Sequence, residues 1–377
     1  MVLLKPRRHM TLSSPTSTAE GKSLGVAFIA SVMLLSGCGE DPSAPGDTDP
    51  LFCSIDESLI ASGGVSRDGI PSLQDPALVG PFDAGVEYLL PEDRVIGIEV
   101  DGQYVAIPHD ILWWHEIVNF NTLGVPLAVT YCPLTGSSMV FDRSGVDGNT
   151  FGVSGLLFLN NLIMFNRTAD GTTDSLFPQM MRGARCGPLG GQTLTMYPSV
   201  EMTWSSWRSL HSDTRVVAEV SGSDRDYQLY PYGNYEDSDR TQFPQTDIDS
   251  RRSPKERVLG IPGVADSGVA FPFGALAELG EAAVVHETVD GEPVVVFWNS
   301  AAQSAIAFQP MIDGQALTFE ASPSGYVDTE TGSSWTLDGR AFSGAFSGQE
   351  LAMFPEAFVS FWFSWEAFHP STTLWLP

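Results

Sequence analysis

His115, Glu116, Cys132 and Cys186 are the side chains best suited to chemistry in this 377-residue chain. An imidazole and two thiols, joined by the Met164 thioether, would suit a soft metal ion, copper or zinc. No Cys-x-x-Cys pair is present there, because Thr135 stands three residues after Cys132. The same groups would serve covalent catalysis: Cys132 attacks, His115 takes its proton, and Glu116 or an asparagine orients the base. Ser138, Asn160 and Asn161 add polar groups for a bound small molecule. A third arrangement is structural. A Cys132–Cys186 disulfide, allowed in an oxidising compartment, would leave an extracytoplasmic interaction scaffold. A thioredoxin-type site does not fit, since strand-like residues 138–141 follow Cys132 where that fold requires a helix.

The elements that must position these groups are mostly strands. Residues 95–100, 104–107, 126–131, 138–141, 151–155 and 162–165 are short, apolar and bounded by Gly, Pro, Asp or Asn. Further segments follow at 268–271, 293–298, 304–308 and 317–320. Residues 110–119 and 202–210 carry apolar positions at helical spacing, with His115 and Glu116 inside the first. The fold class expected is mainly β with a few short helices, an α+β body.

The chain also resembles itself. Trp204, Ser206, Trp207, His211 and Thr214 recur at the same spacing as Trp362, Ser364, Trp365, His369 and Thr372. Residues 94–98 match 257–261, 104–108 match 268–272, 124–131 match 291–298, and 191–194 match 348–351. Two copies are too few for a solenoid, so two pseudo-symmetric repeats forming one compact body are expected. The paired tryptophans and histidines then belong to the scaffold. The thiols do not recur: Asn299 stands at the position of Cys132 and Ser343 at that of Cys186. One working half and one supporting half follow.

Four segments carry a family resemblance. They are Trp114-His115-Glu116-Ile117-Val118-Asn119, Tyr131-Cys132-Pro133-Leu134-Thr135-Gly136, Phe151-Gly152-Val153-Ser154-Gly155 and Ser175-Leu176-Phe177-Pro178-Gln179. From about Gly69 to the C-terminus the chain resembles the bacterial family of unknown function DUF3179. The resemblance implies no activity. Thr135 departs from the second cysteine of the family's Tyr-Cys-Pro-Leu-Cys-Gly turn, so a mechanism needing both thiols of that turn is not open to this chain.

The N-terminus speaks of location. Lys5, Arg7, Arg8 and Lys22 precede an apolar run, residues 24–35, which ends in Leu35-Ser36-Gly37-Cys38. A basic stretch, a short apolar core and small residues make an export signal. Leu-Ser-Gly-Cys resembles the bacterial lipobox, whose cysteine is lipidated. Residues 1–38 are therefore expected to be a lipoprotein signal peptide. Residues 39–68, rich in Pro, Gly and acid at their start, would be a flexible tether. Residues 69–225 would form the first repeat, 226–256 a connector held by its tyrosines, and 257–377 a second, degenerate repeat.

Without residues 1–38, which hold four basic residues and one acidic, 15 basic face 45 acidic, a net charge of −30. That surface repels nucleic acid. The expectation is a cell-envelope lipoprotein, held at the outer membrane by its lipid and facing the periplasm or the surface. It would bind copper-like metal or a small ligand at the His/Cys site. An enzyme with Cys132 as nucleophile and His115 as base, or a scaffold with an unspecified protein partner, are the alternatives. The mature chain should begin at an acylated Cys38 and fractionate with membranes, and Cys38→Ala should abolish both. A soluble mature chain without acyl mass in mass spectrometry rejects the anchor.

Overall fold

The computed structural model describes residues 53–377 except 170, 172, 244, 246, 247, 265 and 355. The signal segment with Cys38, and tether residues 39–52, lie outside the described residues. Among the described residues the architecture is mainly β, with four short α-helices.

Strand Arg94–Val100 is rich in β-branched residues and turns back into Gln103–Pro108. The two-residue turn is Asp101-Gly102, with φ of 50° and 77°. Both positive φ values are what a tight hairpin with matching twist requires, and Asp-Gly supplies them. Val200–Thr203 pairs antiparallel with the first strand, and Arg215–Val217 parallel with the second. A second sheet has the same order and directions: Phe358–Phe361, Arg257–Pro262, Gly268–Pro272, Thr373–Leu374.

Helix α2, Trp204–Leu210, lies on the first sheet, and helix α4, Trp362–Phe368, on the second. Two of their contacts match closely. Trp207 Nε1 donates to Thr214 Oγ1 at 2.8 Å, and Trp365 Nε1 to Thr372 Oγ1 at 2.9 Å. Trp207 covers Gly97, where a Cβ would meet the ring at 2.2 Å; Trp365 covers Gly260 at 2.1 Å. Only glycine lets the indoles lie this close. All four tryptophans are buried core, as expected.

The two sheets are cross-braced. The Thr203 amide donates to Ala302 O at 2.9 Å, and the Phe361 amide to Thr135 O at 2.8 Å. Ala302 and Thr135 occupy like positions, each three residues beyond the middle strand of a three-stranded meander. Those middle strands are Glu292–Asn299 and Leu127–Cys132. One core cluster joins Ile96, Trp204 and Trp207 to Phe297, Phe308 and Trp335. Another joins Met139 and Phe141 to Val258, Trp362 and Trp365. Each half thus buries its apolar face against the other.

Three expectations need correction. The helix expected over 110–119 is shorter: α1 is His109–His115. Ile117–Phe120 is a strand instead, because its β-branched and aromatic residues pair with Leu127–Cys132. The tether does not extend to 68. Ile60–Ser62 pairs with strand Phe151–Phe158, and Cys53 is bonded to the body.

The disulfide is Cys53–Cys186, not Cys132–Cys186. Cys132 ends a fully buried strand, whereas Cys186 meets Cys53 across a β-bridge. Closing a loop over a separation of 133 residues should stabilise the fold by about 5 kcal/mol in the chain-entropy model. Cys53→Ser is expected to lower the melting temperature. Peptide mapping without reductant should find Cys53 linked to Cys186 and Cys132 as free thiol. A Cys132–Cys186 peptide would overturn the pairing.

Candidate functional site

Helix α1 ends where the backbone turns left-handed. Glu116 has φ 56°, its amide donates to Leu112 O and its carbonyl accepts from the Tyr131 amide, both at 2.8 Å. A left-handed residue between helix and strand makes neighbouring side chains diverge, and His115 and Glu116 face different partners.

His115 is fully engaged. Its Nδ1 lies 2.8 Å from Pro71 O and its Nε2 2.8 Å from Tyr227 Oη. The carbonyl can only accept, so Nδ1 carries the hydrogen and Tyr227 donates to Nε2. Burial lowers the imidazole to about 4, so it is neutral near pH 7. No bond joins it to Cys132 among the described residues.

Glu116 is 7% exposed. Burial pushes its carboxyl up to about 7, against the opposing pull of the Tyr232 hydroxyl, which donates to it at 3.4 Å. This is its one side-chain hydrogen bond among the described residues. Cys132 lies near enough for the Glu116 charge to act on it. Burial, then Glu116, push the thiol up to about 11. Its Sγ lies 3.8 Å from Asn160 O. A protonated thiol is a poor nucleophile and a poor ligand.

The remaining candidates are held elsewhere. Asn161 donates to Thr135, Ser137 and Gln179 and accepts from the Met180 amide. Asn160 accepts from the Phe243 amide at 2.8 Å and donates to Phe243 O at 3.3 Å, clamping the connector. Ser138 donates to Glu201. Met164 is buried in strand Asn161–Asn166, opposite Val153 and Phe177. Cys186 is spent in the disulfide. The metal set of His115, Cys132, Cys186 and Met164 is therefore not assembled. Among the described residues no group of three His, Cys, Asp or Glu is placed to hold a metal ion.

Glu116 opens instead into a cavity of about 290 Å³. Its walls are mainly apolar, including Val65, Ile70, Leu134, Val153, Leu157 and Leu162. The connector closes it with Tyr232, Tyr235 and Arg240. Tyr235 Oη donates to Leu134 O at 2.9 Å, and Lys255 sits 3.2 Å over the Tyr235 ring while bonding three connector carbonyls. Sequence reasoning assigned these tyrosines only to ordering the connector. Their density, four between 227 and 235, was the available signal.

A family described as "Protein of unknown function (DUF3179)" matches residues 67–372. The chain belongs to that family. No curated protein and no solved structure matches it. The DUF3179 motifs now have physical roles in this chain. Asn119 holds both backbone groups of Phe151, at 2.9 and 2.8 Å. Gly155 has φ 79°, and a Cβ there would meet Val65 O at 2.3 Å on the cavity rim. Gln179 ties Ser137, Thr130 and Asn161 together. Thr135 joins this network through Ser137 and Asn161.

Glu116 sets a pH dependence. Its carboxyl titrates near 4.5 when unfolded and is pushed up to about 7 when folded. The folded state holds the proton more tightly, so this stabilisation is complete below pH 4.5 and lost as pH rises through 7. The difference amounts to about 3 kcal/mol. Glu116→Gln should therefore match the wild type at pH 4 and exceed it in stability at pH 8. Denaturant unfolding at both pH values measures this; an equal difference at the two rejects a buried titrating Glu116.

Proposed function

We propose that this protein is a lipid-anchored cell-envelope protein that binds a small, mostly apolar molecule in the Glu116 pocket. The observation that supports this most is the carboxyl itself. Glu116 is buried among apolar walls with a single long hydrogen bond, in a cavity near the lower end of the size range of small-molecule sites. A buried carboxyl normally has more partners. A ligand with one polar group and an apolar body would supply them. The group's position near pH 7 also lets it act as donor or acceptor.

The same titration supports a second reading, proton transfer to or from the bound molecule. In that case Glu116 is the working group, with Cys132 as a neutral neighbour. His115 serves by fixing Tyr227 and so the connector. Copper or zinc is not part of this proposal. The acidic composition speaks against a nucleic-acid partner.

The asymmetry between halves agrees with a ligand role. By strand register, Ala283 stands where the first half has Glu116, and Asn299 where it has Cys132. We infer that the two halves arose by duplication and that the first keeps the pocket. N-phenyl-1-naphthylamine, an apolar amine that fluoresces when shielded from water, tests the site. One saturable site is expected in the wild type and none in Leu157→Trp, which fills the cavity. Absence of binding, or equal binding by the filled variant, refutes the pocket.

A further inference from the structure

A larger cavity, about 510 Å³, lies between the two halves. One wall is the first sheet and α2: Glu99, Tyr104, Trp207 and His211. The other is the segment holding Asp338, Arg340, Glu350 and Met353. His211 is 3% exposed, and its Nε2 lies 3.0 Å from Asp338 Oδ2. Asp338 is held low as a carboxylate: burial opposes this, but the His211 and Thr336 bonds outweigh it. The carboxylate at this distance favours a hydrogen on Nε2, although the contact is a close charge pair and not an aligned hydrogen bond, and this leaves Nδ1 as the acceptor. Among the described residues Nδ1 makes no hydrogen bond within the protein. The ring is fixed between Tyr104, at 3.8 Å, and Trp207, at 4.3 Å. A carboxylate behind a clamped imidazole is an arrangement that orients a hydrogen-bond acceptor.

The corresponding region of the other half retains the scaffold with different charges, since Arg182 and Asp266 act on His369 there and no carboxylate pairs with its ring among the described residues. The bridges Arg340–Glu350 and Gly183–Thr193 occupy like positions. Through them and the sheet registers, Glu99, Tyr104, Asp338, Arg340 and Glu350 correspond to Pro262, Gly268, Met181, Gly183 and Thr193. His369 matches His211, yet has no ion pair among the described residues. Packing alone therefore does not require the polar set, since the same helix, tryptophan and histidine are held without it.

The walls specify a class of ligand. Three carboxylates face one guanidinium, and Arg340 is shared among Glu99, Glu350 and Asp338. The excess is negative, which disfavours anions. The space is too large for a bare ion, and no metal-holding group is present among the described residues. Ile98, Leu351 and Met353 offer an apolar side. We propose that this cleft is a second small-molecule site, which takes an organic amine: its ammonium lies against Glu99 and Glu350, and a second donor bonds Nδ1 of His211. Asp338 is a positioning residue that holds the imidazole.

Calorimetry of the mature chain with putrescine, ethanolamine and benzylamine tests this, with citrate and 1,4-butanediol as controls. At least one amine should bind one site and the controls should not. Nitrogen NMR should show the His211 Nδ1 signal shifting on amine addition. Glu99→Gln with Glu350→Gln should weaken binding by at least about tenfold. Met353→Trp, which fills the cleft without altering a charge, should abolish it. Glu116→Gln should leave it unchanged, which separates this site from the other pocket. Failure of all three amines, preference for citrate, or amine binding that survives both cleft variants overturns the proposal. The last result would make the carboxylates a structural brace.

Discussion

The structure depends on one buried carboxylate. Glu201, on strand Val200–Thr203, accepts from Arg94 of the first half and Arg257 of the second. His109 lies 3.4 Å away and Ser138 donates as well. Burial alone would raise this carboxyl, but Arg257, His109 and Arg94 hold it well below the usual range. Arg94 and Arg257 open equivalent strands, so the two halves bring like charges to their junction. Glu201 reaches both. Val359 holds the position equivalent to Glu201. Removing the carboxylate would leave two buried guanidinium groups short of a partner, a loss of about 3–5 kcal/mol by the usual cost of breaking a buried pair. Arg94 also binds Glu236 of the connector at 3.1 Å, and Tyr131 donates to the same group. The junction of the halves and the roof of the Glu116 pocket are thus one electrostatic network.

Much of the scaffold could be read from the residues. The tryptophan, histidine and threonine spacing located α2 and α4, and the apolar runs located the strands that carry them. What the spacing could not reveal was the exchange of faces. The Thr203–Ala302 and Phe361–Thr135 bonds join residues about 100 and 226 apart, and no local pattern encodes such a partner. The disulfide was misassigned for a related reason. Cys53 lies in a polar, proline-rich neighbourhood that resembles a tether, and its β-bridge to Cys186 is a tertiary event.

The site was legible by residue type and less so by direction. His115 and Glu116 are adjacent in an apparent helix, so both seemed able to face Cys132. The left-handed turn at Glu116 separates them. Glutamate seldom adopts φ near 56°, so periodicity gave no warning. A second such turn, Leu159-Asn160 at φ 50° and 67°, sits beside the Cys132 thiol. Neither residue is glycine, although glycine would relax the backbone there. Strain of this kind persists only where surrounding contacts enforce it. Asn160 is enforced by its two bonds to Phe243, and Glu116 by Leu112 and Tyr131.

These constraints explain why a buried acid near its titration point can persist. An exposed loop would let Glu116 swing into water and ionise freely. The helix end, the strand and the tyrosine-bearing connector leave it one direction, into an apolar cavity. Its cost to stability at neutral pH is carried by the rest of the body, above all by the paired sheets and the Glu201 network. The second half has no such acid at Ala283 and folds on the same plan. The strand pairing itself therefore does not demand a carboxyl at this position.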